Sequence, residues 1–120
     1  KGAVMYQIFP DRFCKSESFT TPAIPGRKLV DWNEKIPLGP NEKGEWNTEF
    51  YGGNLRGIIE KLDYIKSFST TMIYLTPICY GQSNHRYDTI DYTRIDPFLG
   101  SKEDLRKLCE EAHKRGIMLC

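Results

Sequence analysis

"NLRGIIEKLDYIKSFSTTMIYLTPI", residues 54–78, carries two different periodicities back to back. Leu55, Ile58, Ile59, Leu62, Ile65 and Phe68 recur at steps of three and four, the spacing of one face of an α-helix. Asn54 stands where an N-cap would accept the free amides of the first turn. "TMIYLTPI", residues 71–78, is instead a short apolar run closed by Pro77 and reads as a buried strand. A helix feeding straight into a buried strand is the second half of a βαβ unit, and the flanks supply the rest. Upstream, "VMYQIF", residues 4–9, is β-branched and aromatic and ends at Pro10, which predicts a strand buried on both faces. Downstream, Ser101 with Asp104 resembles a capping box. Leu105, Leu108, Cys109 and Ala112 form the apolar stripe of a second helix, Gly116 ends it, and "IMLC", residues 117–120, begins a third strand. The alternation predicts an α/β protein whose parallel strands are joined by right-handed crossovers. Two architectures share it: an open doubly wound sheet, and the opening of a closed (β/α)8 TIM barrel. In both, chemistry gathers at the carboxyl ends of the strands, where two long polar connections emerge.

The first connection, residues 10–53, is rich in Pro, Gly, Asn and charge. Its length indicates a functional loop or an inserted segment, and Trp32, Trp46, Phe50 and Tyr51 suggest that it packs onto the body. Asp11 beside Arg12 reads as an ion pair fixing the loop. Gly52 and Gly53 supply a tight turn into the helix; they lack the spacing and the lysine of a phosphate loop. The second connection, "SNHRYDTIDYTRIDPFLGS", residues 83–101, packs three aspartates, two arginines, one histidine and three aromatics into one short stretch. A sugar ring asks for such a combination, an apolar face to stack on and fixed partners for its hydroxyls. Equally, Tyr87 and Tyr92 could be packing anchors, with Asp88 and Asp91 capping turns. His85 has no cysteine or second histidine near it to form a metal site, and reads as a hydrogen-bond donor or a surface histidine.

Seventeen Lys and Arg against sixteen Asp and Glu give a formal charge of +1, so nothing favours nucleic acid or an anionic membrane as a partner. The longest apolar runs are far too short to span a bilayer, and no charged leader opens the sequence. Cys14, Cys79, Cys109 and Cys120 are scattered without a CxxC pair, which favours free thiols and a cytoplasmic setting. The sequence starts without methionine and stops inside an apolar run, the expectation being a piece of something longer.

Taken in order, "YQIFPDRF", "FYGGNLRGIIEKLDYI", "IYLTPI", "SNHRYDTIDYTRIDPFLGS" and "LCEEAHKRGIMLC" resemble the opening of the α-amylase superfamily's catalytic barrel. The "NHRYDTIDY" version of the second connection is most similar to the neopullulanase and cyclomaltodextrinase-like branch. The likeness covers nearly the whole chain, with residues 15–48 matching loosely. It implies that residues 1–120 are about three βα units of a (β/α)8 barrel, truncated in the third strand. It also implies a retaining hydrolase of α-1,4 or α-1,6 glucosidic bonds in starch, maltodextrin, pullulan or cyclodextrin, with two carboxylates about 5 Å apart. In that family the catalytic acids come from the fourth, fifth and seventh strands, so this chain is expected to hold no catalytic residue and to be inactive alone. The resemblance carries binding instead. Tyr87 matches the aromatic under the sugar at the cleaved position, Asp88 the neighbouring carboxylate, and Asn84 and His85 positions that contact sugar hydroxyls, while Asp91 and Tyr92 fix the loop. Some relatives hold calcium in the first connection. Here Gly52 and Asn54 match, but "CKSESF" offers only Glu17 where several oxygens are needed, so no calcium and no other cofactor is expected. The alternative is a catalytically silent barrel used for binding or as an accessory domain.

Overall fold

The strand expected within residues 71–78 forms the centre of the molecule. The computed structural model describes residues 2–120. Its elements are β1 (Met5–Ile8), β2 (Lys28–Leu29), β3 (Glu49–Phe50), α1 (Leu55–Glu60), α2 (Leu62–Lys66), β4 (Met72–Leu75), β5 (Cys79–Gly81), β6 (Thr89–Ile95), α3 (Lys102–Lys114) and β7 (Met118–Leu119). β1, β4 and β7 pair in parallel in that order, with Met5 opposite Met72 and Met72 opposite Met118. The ladder continues past the strand ends, Thr76 N–H donating to Ile8 O at 3.0 Å and Leu75 N–H to Cys120 O at 2.8 Å.

Side chains alternate across this sheet as the pleat requires. Ile8, Ile73 and Ile117 are buried in one cluster with Leu55, Ile58, Leu62, Ile65, Leu108 and Ala112 of the helices. Met5 and Met118, on the other face, are 59% and 57% exposed. β1 is therefore buried on one face and not on both as its sequence suggested, because burial follows the helices and these join only the isoleucine face.

The single helix expected from residue 54 onward is two, broken at Lys61. Lys61 N–H donates to Ile58 O at 3.0 Å, a tightened i→i−3 turn that interrupts the helix without rotating its apolar stripe out of the core. Both predicted caps form. Asn54 Oδ1 accepts from Gly57 N–H at 2.8 Å, and Ser101 and Asp104 close a reciprocal capping box. Gly116 ends α3 at φ 69°, in the left-handed region that favours glycine.

Residues 10–53 are anchored at both ends. They open with a 3-10 turn at Pro10–Arg12 and contain β2 and β3, paired in parallel. The Asp11 carboxylate is buried and accepts from Tyr51 N–H at 3.1 Å and Gly52 N–H at 3.3 Å. Arg12 Nε is 3.7 Å away, so the loop-fixing role of Asp11 is exerted chiefly on the backbone. Burial pushes its carboxyl above the ordinary range despite those hydrogen bonds. Gly52 provides a left-handed turn at φ 85°, but Gly53 serves close approach: a Cβ there would lie 2.0 Å from Pro10 O.

Candidate functional site

The second connection is built as a hairpin. β5 and β6 pair antiparallel with Tyr80 opposite Asp91 and Gly81 opposite Thr89, leaving residues 82–88 as the tip. Arg86, at φ 58°, reverses the chain there, a conformation uncommon outside glycine that needs compensation. The compensation lies in the interior. The Arg86 side chain is fully buried, with Nε 2.9 Å from Asp96 Oδ2 and a terminal N–H donating to Asn84 O at 2.8 Å. Asp96 also receives both arms of Arg27, at 2.6 and 2.5 Å, and the Phe98 amide at 2.9 Å. The two guanidinium groups lie 4.5 and 5.3 Å from the centre of the Phe50 ring. Burial raises the Asp96 carboxyl, but Arg27 and Arg86 more than offset this and hold it below the usual carboxylate range.

With Arg86 turned inward, Tyr87 leaves the body and is 60% exposed. Beside it, a cavity of about 490 Å³ opens at the carboxyl ends of β4 and β7, lined also by Thr76, Pro77, Leu105, Leu119 and Cys120. Partial desolvation and the nearby Tyr74 hydroxyl push the Tyr87 phenol above its ordinary value. Asp88 accepts from Ser83 Oγ–H at 2.6 Å and Ser83 N–H at 3.1 Å. Desolvation raises its carboxyl, and these bonds lower it by more, leaving it ionised below the usual range. His85 Nδ1 accepts from Tyr87 N–H at 3.1 Å and lies 3.0 Å from Ser83 Oγ; with Nδ1 accepting from the backbone amide, the proton of the neutral ring is assigned to Nε2.

Tyr87, Asp88 and His85 thus meet at the tip. Asn84 lies beneath it: only 3% exposed, it donates its amide to Glu49 O at 2.9 Å, and its backbone N–H donates to Asn47 O at 2.9 Å, tying the tip to the first connection. Asp91 accepts from Thr93 N–H at 2.9 Å and Thr93 Oγ–H at 2.6 Å, the local bracing expected of it. Tyr92 is 79% exposed and borders the same cavity as Tyr87, while its backbone carbonyl accepts from Cys79 Sγ–H at 3.5 Å across the hairpin. Around the glycine pair, Asn54 Oδ1 is already taken by Gly57 N–H and Ser16 N–H, and Glu17 is exposed. These residues do not fit a calcium ion, which takes six to eight oxygens.

The profile of the family described as "Alpha amylase, catalytic domain" matches residues 7–120. The chain belongs to the α-amylase catalytic-domain family. It is 46% identical over 132 residues to an amylopullulanase of Thermoanaerobacter thermohydrosulfuricus, covering 98% of this chain and 9% of that protein. It is 44% identical over 117 residues to a cyclomaltodextrinase of Geobacillus thermopakistaniensis, covering 98% of this chain and 18% of that one. The type III pullulan hydrolase of Thermococcus kodakarensis superposes with a TM-score of 0.83 at 35% identity, over 98% of this chain and 22% of the hydrolase. The chain therefore spans under a fifth of the curated relatives named here. Its three strands and their helices are the opening units of the amylase (β/α)8 barrel, and the doubly wound alternative falls away. The Tyr87 tip stands beside the carboxyl ends of β4 and β7, the end of the strands at which βα connections build active sites in barrels.

Proposed function

We propose that this chain is the opening part of a retaining α-glucan hydrolase that cleaves α-1,4 or α-1,6 glucosidic bonds in starch, maltodextrin, pullulan or cyclodextrin. In this reading the chain supplies sugar contacts and no catalytic carboxylate. The observation that carries it is the outward Tyr87 ring, held over the carboxyl ends of the strands by the buried Arg86–Asp96 contact. Tyr87 offers the apolar platform, Asp88 accepts from a sugar hydroxyl, and His85 Nε2 donates to one. Asn84 positions that group from below. The two reacting carboxylates come from strands beyond β7, about 5 Å apart as a retaining displacement requires. The names of the relatives, an amylopullulanase, a cyclomaltodextrinase and a pullulan hydrolase, support the substrate class. No metal or other cofactor takes part in this reading. Four unpaired cysteines favour the cytoplasm as its setting, and no helix among the described residues is long and apolar enough to cross a membrane.

Hydrolysis of pullulan and maltooligosaccharides by the parent protein, with the product anomer followed by NMR, tests this. Release of the α-anomer is expected, with no turnover by the 120-residue chain alone. Release of the β-anomer, or turnover by the isolated chain, would overturn it. Binding of maltose without turnover by the parent would replace it with a silent barrel.

A further inference from the structure

Pro25 and Gly26 make a turn in the first connection, with Gly26 at φ 85° and Arg27 N–H donating to Ile24 O at 3.2 Å. Proline followed by glycine at the two central positions is the signature of a type II turn. It delivers Arg27 to the base of the β5–β6 hairpin. There the Arg27 side chain is 4% exposed, and its planar fork meets both rails of the hairpin at once. One arm donates to Asp96 Oδ1 at 2.6 Å, the other to Asp96 Oδ2 at 2.5 Å and to Gly81 O at 2.6 Å. Gly81 is the last residue of β5, and Asp96 follows β6 directly. The rings of Phe50, Tyr80 and Phe98 surround the guanidinium, their centres 4.5, 5.0 and 4.8 Å away.

The hairpin needs such a brace. Its own ladder is poor, since β5 has three residues and the register shifts twice, and an isolated two-stranded hairpin is marginally stable at best. The Arg86–Asp96 contact lies wholly within the second connection, so it shapes the hairpin without fixing it to anything else. Arg27 fixes it to the first connection, and Asn84 adds two bonds to the same connection, at Asn47 O and Glu49 O. We propose that Arg27 is a positioning residue for the sugar platform: it touches no sugar, and it sets where Tyr87 stands. The first connection thereby governs the affinity of a platform built on the second. The sugar affinity rests on the function proposed above, whereas the bracing does not. Lysine cannot take this place, because a single ammonium on a flexible stem neither forks to three oxygens in one plane nor stacks among the rings as a guanidinium does.

The experiment compares the parent protein with its Arg27→Lys, Tyr87→Ala and double variants by two measurements. Amide hydrogen exchange reads the brace: in Arg27→Lys the amides of residues 82–88 are expected to exchange faster, while those of β4 keep their protection. Calorimetric titration with sulfur-linked maltose, which resists hydrolysis, reads the coupling. Arg27→Lys is expected to weaken binding about tenfold when Tyr87 is present, the size of losing a stacked ring, and to change nothing when Tyr87 is already alanine. Unchanged exchange at the tip would overturn the proposal. So would loss of protection in β4 as well, or equal weakening of binding with and without Tyr87, because either makes Arg27 a residue of general stability. Faster exchange confined to the tip, with binding that ignores Tyr87→Ala, would uphold the brace and count against the sugar role given to Tyr87.

Discussion

Arg86 and Tyr87 are neighbours in sequence and opposites in environment: one is fully buried, the other 60% exposed. The left-handed turn at Arg86 separates them, and Asp96 holds that turn by joining Arg86 to Arg27. Replacing Asp96 by Asn leaves two arginines facing a neutral amide. The expected loss is about 3–5 kcal/mol, the usual result of breaking a buried pair from one side, read as a lower urea midpoint. The pH dependence follows from the sign of the shift. The folded carboxyl titrates below its unfolded value of about 3.9, so its contribution is present above that pH and disappears as pH falls through the folded value. The gap between wild type and Asp96→Asn should therefore narrow below about pH 4. A gap under about 1 kcal/mol at pH 7 would contradict this reading of the pair. Little of the network was legible beforehand. Arg27 meets Asp96 across 69 residues of sequence, and no local pattern encodes such a contact.

Elements whose signals are local were the most legible. Asn54 caps α1 and Ser101 caps α3 because a cap is decided within four residues. The break at Lys61 was hidden because Leu55, Ile58, Leu62 and Ile65 stay buried on both sides of it. The β5–β6 hairpin was also missed. In "TIDYTRI" the charged and apolar residues do alternate, but the partner strand is only three residues long and its register shifts twice, which leaves no clear hairpin pattern in the sequence. At the start of α1, the joint between the first connection and the barrel depends on Gly53. A Cβ at that position would meet Pro10 O at 2.0 Å and backbone would have to move. Gly53→Ala should cost about 3 kcal/mol or more, seen as a drop in melting temperature, whereas Gly2→Ala, with nothing within 4 Å of the new atom, should cost nearly nothing. Equal melting temperatures for the two variants would show that the joint is loose.

As a whole, the chain is a three-stranded parallel sheet with helices on one face, joined by the β2–β3 pair and the antiparallel β5–β6 hairpin, extending 49 × 28 × 26 Å. The α/β class was read correctly from the alternation of periods, because each period reports a face buried against the same cluster, whereas the choice of barrel over doubly wound sheet came from the family resemblance. The open face, with Met5 and Met118 exposed, is what three strands of a barrel imply, their helices covering one face alone; the strand sequences themselves do not show it, since an apolar strand looks the same whether one of its faces or both are covered. In a closed barrel that face would turn toward the axis, with the Tyr87 tip above it at the carboxyl ends of the strands. A crystal structure of the parent protein with sulfur-linked maltose would show whether sugar reaches that tip. A glucose ring lying flat on Tyr87, with His85 Nε2 and the Asp88 carboxylate within hydrogen-bond distance of its hydroxyls, is the predicted result. Sugar bound elsewhere with the Tyr87 ring bare, or that ring folded down into its neighbouring cavity, would contradict it.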